Sequence, residues 1–113
     1  MEPEGIQNEL GRLPGWMALL GPRVQTLQRT CVHPTYDSAL RFTGDVGELA
    51  QERELFAHLN VRPNGPGGVP TQVRVRITNP HLADPHFELA HSVEDLYAAS
   101  PGAAGVPSLT VLE

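Results

Sequence analysis

From Val73 the chain alternates: Val73, Val75 and Ile77 are aliphatic, while Arg74, Arg76 and Thr78 are polar. Successive side chains of a strand point to opposite faces. A period of two therefore predicts a strand with one aliphatic face and one face carrying two arginines. Elsewhere the period lengthens. Ala39, Phe42, Val46, Leu49 and Ala50 recur at spacings of three, four, three and one, which is one face of a helix carried by the pattern to about Phe56. His33-Pro34 breaks the chain ahead of it, and Thr35 is placed to accept a backbone N–H as the cap. Gly44 and Gly47 interrupt this helix at about 1 kcal/mol each against alanine, either allowing close packing or weakening it. A further helix starts at Asp84-Pro85, a capping carboxylate followed by proline at the first helical position. Its buried stripe runs through Phe87, Leu89, Ala90, Val93, Leu96 and Tyr97 to about Ser100.

The other segments are shorter. Ile6, Leu10 and Leu13 sit at helical spacing before Pro14-Gly15, and Trp16 to Leu20 reads as a strand ended by Gly21-Pro22. Val24 to Val32 and Leu59 to Arg62 are further strand candidates. Pro63 to Gly68 is a turn cluster with no helix after it, which excludes a phosphate-binding loop there. The order is helix, two strands, long helix, hairpin, helix. Helices with one apolar stripe each bury it most economically on one face of a sheet. The pattern thus predicts an α+β domain with a four-stranded antiparallel sheet and helices packed on one face. Residues 1–100 form this domain, and 101–113 form a flexible tail with a short edge strand at Leu109 to Leu112.

Composition narrows the function. At 113 residues the core has little margin, so oligomerisation would help it. A net charge of −5, with no lysine, argues against a nucleic-acid partner, because phosphate neutralisation needs clustered cations. One cysteine, Cys31, excludes an intramolecular disulfide and reads as a buried thiol in a strand. The acidic N-terminus has no signal-like apolar core, and no apolar run reaches about 18 residues; the expected location is cytoplasmic and away from membranes. His86 and His91 stand five apart, the wrong spacing for a metal pair on a helix, and no metal or cofactor is expected. Glu48, Glu52, Glu54 and Arg53 read as a solvated helix face. Arg74 and Arg76 project from the same strand face. A solvated or subunit-facing surface is the preferred reading of that pair, and a fork for carboxylate or phosphate groups is the alternative.

Several residues also fall in a familiar order. Gly15-Trp16 precedes a strand with Leu27-Gln28-Arg29 at its core. Tyr36, Ala39, Leu40 and Phe42 lead the long helix, which continues with Val46 and Ala50-Gln51. The last helix begins within Leu82-Ala83-Asp84-Pro85-His86-Phe87-Glu88-Leu89-Ala90. In these places the chain resembles the pterin-4a-carbinolamine dehydratase family, which has Gly-Trp, Leu-x-Arg and Leu-Thr-x-x-Asp-x-x-Leu-Ala, with His86 standing where that family has the aspartate. The resemblance spans about residues 6 to 97. It implies the same α+β fold, a homodimer or homotetramer, and lyase chemistry of the dehydratase type.

The departures are as informative. The family's site uses a His-His-Pro step after the long helix and a further histidine at the end of the hairpin strand. Keeping the helix length places Leu55-Phe56-Ala57 on His-His-Pro, whereas the alternative shift places Val61-Arg62 on the histidine pair. The third histidine falls near Asn79-Pro80, with His81 one step away. Dehydrating a carbinolamine needs an acid and a base poised near neutral pH, and leucine, phenylalanine and valine supply neither. The expected protein is a divergent relative without the usual activity, repurposed to bind a small molecule or to act as a lyase on another substrate, in specialised metabolism. A non-catalytic interaction or assembly module is the first alternative, and a dehydratase with displaced residues the second. Displaced acid–base groups would be His58, His81 and His33, although surface or capping roles are commoner for isolated histidines. Ligand contacts would come from Arg29, Phe56, Arg62 and Asn79. The implied partner is a small-molecule ligand or another protein.

Overall fold

The alternation from Val73 onward is realised as the centre of a sheet. The computed structural model describes residues 3–63 and 71–100, in the order α1 (Pro3–Leu10), β1 (Trp16–Leu20), β2 (Gln25–His33), α2 (Tyr36–Glu52), β3 (Ala57–Pro63), β4 (Thr71–Asn79) and α3 (Asp84–Ala99). The strands form one antiparallel sheet in the order β1-β2-β4-β3. The turn cluster beyond Pro63 and the tail strand expected at Leu109 to Leu112 lie outside the described residues.

Register fixes which side chains share a face. Leu27 pairs with Ile77, Arg29 with Val75, Cys31 with Val73 and His33 with Thr71, and this row lies under the helices. Leu27, Cys31, Val73, Val75 and Ile77 are fully buried there against Phe42, Val46, Phe87, Leu89 and Val93. The residues between them, Thr26, Gln28, Thr30, Gln72, Arg74, Arg76 and Thr78, face the other way, joined by His58, Asn60 and Arg62 of β3. No helix covers that second face among the described residues.

Both helix boundaries differ instructively from the expectation. α2 stops at Glu52 rather than near Phe56. Glu54 takes a left-handed conformation (φ 56°), the Leu55 N–H donates back to the Ala50 carbonyl at 2.9 Å, and the Glu54 N–H donates to that of Gln51. This paired closure normally recruits glycine, so a glutamate there gave no stop signal. At the other helix, Asp84 is the first helical residue and Ala83 is the cap position. Alanine has no acceptor of its own. The His86 Nδ1, one turn in, accepts the Ala83 N–H at 3.0 Å, which makes His86 a capping residue. Thr35 behaves as expected, its hydroxyl accepting the Ser38 N–H at 3.1 Å.

The two helical glycines are also resolved. A methyl group on Gly47 would make only ordinary contact with Leu59, and one on Gly44 would meet nothing within 4 Å. Among the described residues Gly44 therefore serves no close approach. Gly44→Ala is expected to raise unfolding stability by about 0.5–1 kcal/mol, read as a higher urea midpoint. A lower midpoint would show that Gly44 is packed against something outside the described residues.

Candidate functional site

The region under α3 carries a polar network that is structural. Glu94 Oε1 accepts the Trp16 indole N–H at 3.0 Å and the Arg29 Nε–H at 3.0 Å, tying β1 and β2 to the last helix. Gly15, at φ 92°, leaves room for this guanidinium, because a Cβ there would sit 2.4 Å from Arg29 Nη1. The guanidinium also lies over the Tyr97 ring, 5.2 Å from its centroid. Tyr97 completes the frame: its hydroxyl accepts the Val32 N–H at 3.1 Å and donates to the Val32 carbonyl at 3.0 Å. β1 pairs with β2 only as far as Arg29, so Tyr97 satisfies backbone groups that the short edge strand does not reach. Arg29, a candidate ligand contact from sequence, is thus placed in an ion pair beneath α3. Cys31 beside it is fully buried, and burial pushes its thiol up to about 12, far from the thiolate a nucleophile needs.

His33 belongs to the same buried layer. It has no accessible surface, its ring packs 4.8 Å from Phe42 and 5.4 Å from Tyr97, and neither ring nitrogen has a hydrogen-bond partner among the described residues. Burial lowers its pKa from the usual 6.5, because the charged form loses hydration without gaining a partner. The folded chain then binds this proton less readily than the unfolded chain. Between the lowered folded value and about 6.5 the unfolded state holds more protons, so stability falls as the solution is acidified through that window and is level above it. Urea midpoints of the native chain are expected to drop below about pH 6.5, and His33→Phe is expected to flatten that slope. Equal slopes in both proteins would mean that His33 is not the buried titrating group.

The other candidates lie elsewhere. His58 is exposed on the uncovered sheet face, opposite Arg76. From the row of His58 to the row of His33 is five residues along β2, roughly 17 Å at ~3.3 Å per residue, and the two point to opposite faces. His81 is exposed in the β4–α3 connection, where its carbonyl accepts the Asn79 amide at 2.6 Å. Asn79 therefore spends its side chain on the loop backbone. Leu55-Phe56-Ala57 stands at the junction of α2 and β3, with Phe56 79% exposed beside a shallow depression formed with Gly47 and Gln51. The structure does not bring His33, His58 and His81 into one pocket. Among the described residues no three His, Cys, Asp or Glu side chains come together as a metal-ligand set, and no helix is long and apolar enough to cross a membrane.

A concave feature with convergent polar groups lies on the uncovered sheet face. A groove of about 420 Å³ is lined by Thr26, Thr78, His58, Asn60, Arg74 and Arg76, with Leu19 at one end. A second lobe of about 250 Å³ continues from it along Asn60, Arg62, Gln72 and Arg74. The Thr26 and Thr78 hydroxyls meet at 3.2 Å, and Gln28 Oε1 accepts the Arg76 Nε–H at 2.8 Å. Of the seven sequence candidates, His58 and Arg62 line this groove. Asn60, Gln28 and the Thr26–Thr78 pair were not singled out from sequence, because only the strand register puts them beside the arginines.

A crystal structure from Brucella melitensis described as a transcriptional coactivator/pterin dehydratase superposes with a TM-score of 0.64 at 14% sequence identity, covering 85% of this chain and 96% of that one. The fold is pterin-dehydratase-like. No protein-family model matches the sequence, and no curated protein matches it. The α+β architecture with a four-stranded antiparallel sheet is therefore shared with a pterin dehydratase structure at low sequence identity. In that fold the groove lies on the face of the sheet that the helices leave bare.

Proposed function

We propose that this chain is a divergent pterin-dehydratase-like protein that does not dehydrate pterin carbinolamines and instead binds a small molecule. The observation that carries the reading is the α2–β3 junction. Where the resembling family has His-His-Pro, the chain has Leu55-Phe56-Ala57, and the exposed Phe56 ring offers no proton. The candidate replacements His33, His58 and His81 are dispersed: one in the core, one on the bare sheet face, one in a loop. General acid–base catalysis needs its groups within hydrogen-bond reach of one reacting centre, and this dispersion supplies none.

The test is dehydration of 4a-hydroxytetrahydropterin by the purified chain beside His58→Ala and His81→Ala. All three proteins are expected to leave the spontaneous rate unchanged. Acceleration by the native chain that either substitution removes would establish displaced catalysts and overturn the proposal.

A second reading has its own observation. The edge strand β1 and its turn expose Met17, Leu19, Leu20 and Val24, each roughly half accessible. An apolar edge is a template for pairing with another chain, which favours an assembly through β1, either a homo-oligomer or a partner protein. Leu19→Arg together with Leu20→Arg should then reduce the mass measured by light scattering, and an unchanged mass would remove this reading.

A further inference from the structure

We infer that the groove on the bare sheet face is an oxyanion site, taking a small ligand through a phosphate or carboxylate group held by Arg74 with Arg76, Arg62 and His58. The inference names the site and ligand class of the small-molecule reading and rests on that reading.

Charge segregation is the first argument. The chain carries more acidic than basic residues, 13 against 8. Yet every carboxylate among the described residues lies on a helix or, for Glu54, in the turn that closes one: Glu4 and Glu9, Asp37, Asp45, Glu48 and Glu52, then Asp84, Glu88, Glu94 and Asp95. None is on a strand. The bare face holds Arg62, Arg74, Arg76 and His58 amid threonine, asparagine and glutamine. An acidic protein has thus collected three of its eight arginines on one concave surface.

Nor are these arginines consumed by ion pairs within the fold. The side-chain ion pairs among the described residues join Arg12 to Glu9, Arg29 to Glu94 and His91 to Glu9. Arg74 is partly buried, and its Nε is shut from solvent with no acceptor. An enclosed charged donor without an acceptor is costly, and the protein supplies none among the described residues. Arg76 is oriented in advance by Gln28, which is itself steadied by Met17.

Register sets the spacing. Asn60 lies directly opposite Arg74, His58 opposite Arg76, and Arg62 opposite Gln72, so donors come in three successive rows separated by about 7 Å. Guanidinium binds oxyanions through paired N–H bonds, and hydroxyl and amide donors are in the same groove. The volume falls within the ~300–1,000 Å³ usual for small-ligand sites. A second copy docked face to face would set arginine against arginine, which disfavours a symmetric contact through this surface. Net negative charge and the helix-side carboxylates likewise disfavour a long polyanion.

The experiment is a titration of the ¹⁵N-labelled full chain with inorganic phosphate, and separately with acetate, at constant ionic strength set by sodium chloride. Arginine Nε–Hε and backbone amide signals are followed. Saturable shifts confined to Arg74, Arg76, Arg62, His58 and Asn60 are expected, and whichever anion saturates at the lower concentration identifies the group. Arg74→Gln should weaken binding at least tenfold, Arg62→Gln should weaken it less, and Arg41→Gln on α2 should leave it unchanged. Shifts that fail to saturate, or that persist in Arg74→Gln, would overturn the site. Tighter binding of a single-stranded oligonucleotide than of either small anion would overturn the ligand class. The titration is independent of dehydratase turnover: the proposed function can fail in the assay while the site saturates, and the site can fail while the assay stays silent.

Discussion

Phe42→Ala is expected to lower the unfolding free energy by about 3–5 kcal/mol, the largest effect of any single truncation considered. Phe42 sits mid-way along α2 with 2% of its surface accessible. Its ring touches both His33 and Tyr97, at 4.8 and 5.7 Å between centroids, so it joins the long helix to β2 and α3 at one point. Removing it loses the transfer energy of the ring and opens a cavity that the sheet below is too rigid to fill. The cavity would be lined by a histidine whose nitrogens are already without partners. Domains of this size have roughly 5–15 kcal/mol in total, so the loss takes about a fifth of it at the least. With an m-value of about 2 kcal/mol/M, the urea midpoint should fall by roughly 2 M. A fall worth less than about 1 kcal/mol would show that the aromatic group is not where the two helices are secured.

Glu94→Ala should follow at about 2–3 kcal/mol. One carboxylate oxygen accepts from both the Trp16 indole and the Arg29 guanidinium, and neither donor has another side-chain acceptor among the described residues. Hydrogen bonds to charged groups are worth about 1.5–3 kcal/mol each. The ion pair keeps about a quarter of its side-chain surface exposed, and screening there holds the sum at or below its lower end. Trp16 is the single tryptophan, so its emission should shift to the red as the edge strand loosens. In a cycle with Arg29→Ala, a coupling of about 1–2 kcal/mol is expected for groups in direct contact. Additive effects would return Arg29 to the list of free ligand contacts.

The fold was legible where one period ruled a whole segment. Val73 to Ile77 declared a strand and its two faces, because alternation has no other simple explanation, and the stripe of α2 declared a helix. Its end was not legible, since Glu54 adopts a conformation that usually advertises itself as glycine, and Leu55-Phe56 prolongs the apolar pattern past the true stop. His33 could be placed only with the sheet in hand. It shares the face of Leu27 and Cys31, three steps and one step of alternation away, but imidazole chemistry suggests a pocket more readily than a core. The arginine groove was half visible. Arg74 and Arg76 share a face by counting, whereas Arg62, Asn60 and His58 join them only through the β3–β4 register, which a glycine- and proline-rich connection hides from the sequence.

The loss of dehydratase chemistry and the retention of its scaffold form the central claim. The rate at which the native chain dehydrates 4a-hydroxytetrahydropterin, followed from about pH 6 to pH 8, where imidazoles titrate, tests it most directly. The buffer rate is expected at every pH. A protein-dependent rate with a bell-shaped or single-group pH profile would contradict it, and would mean that acid and base have been rebuilt from groups other than the junction histidines.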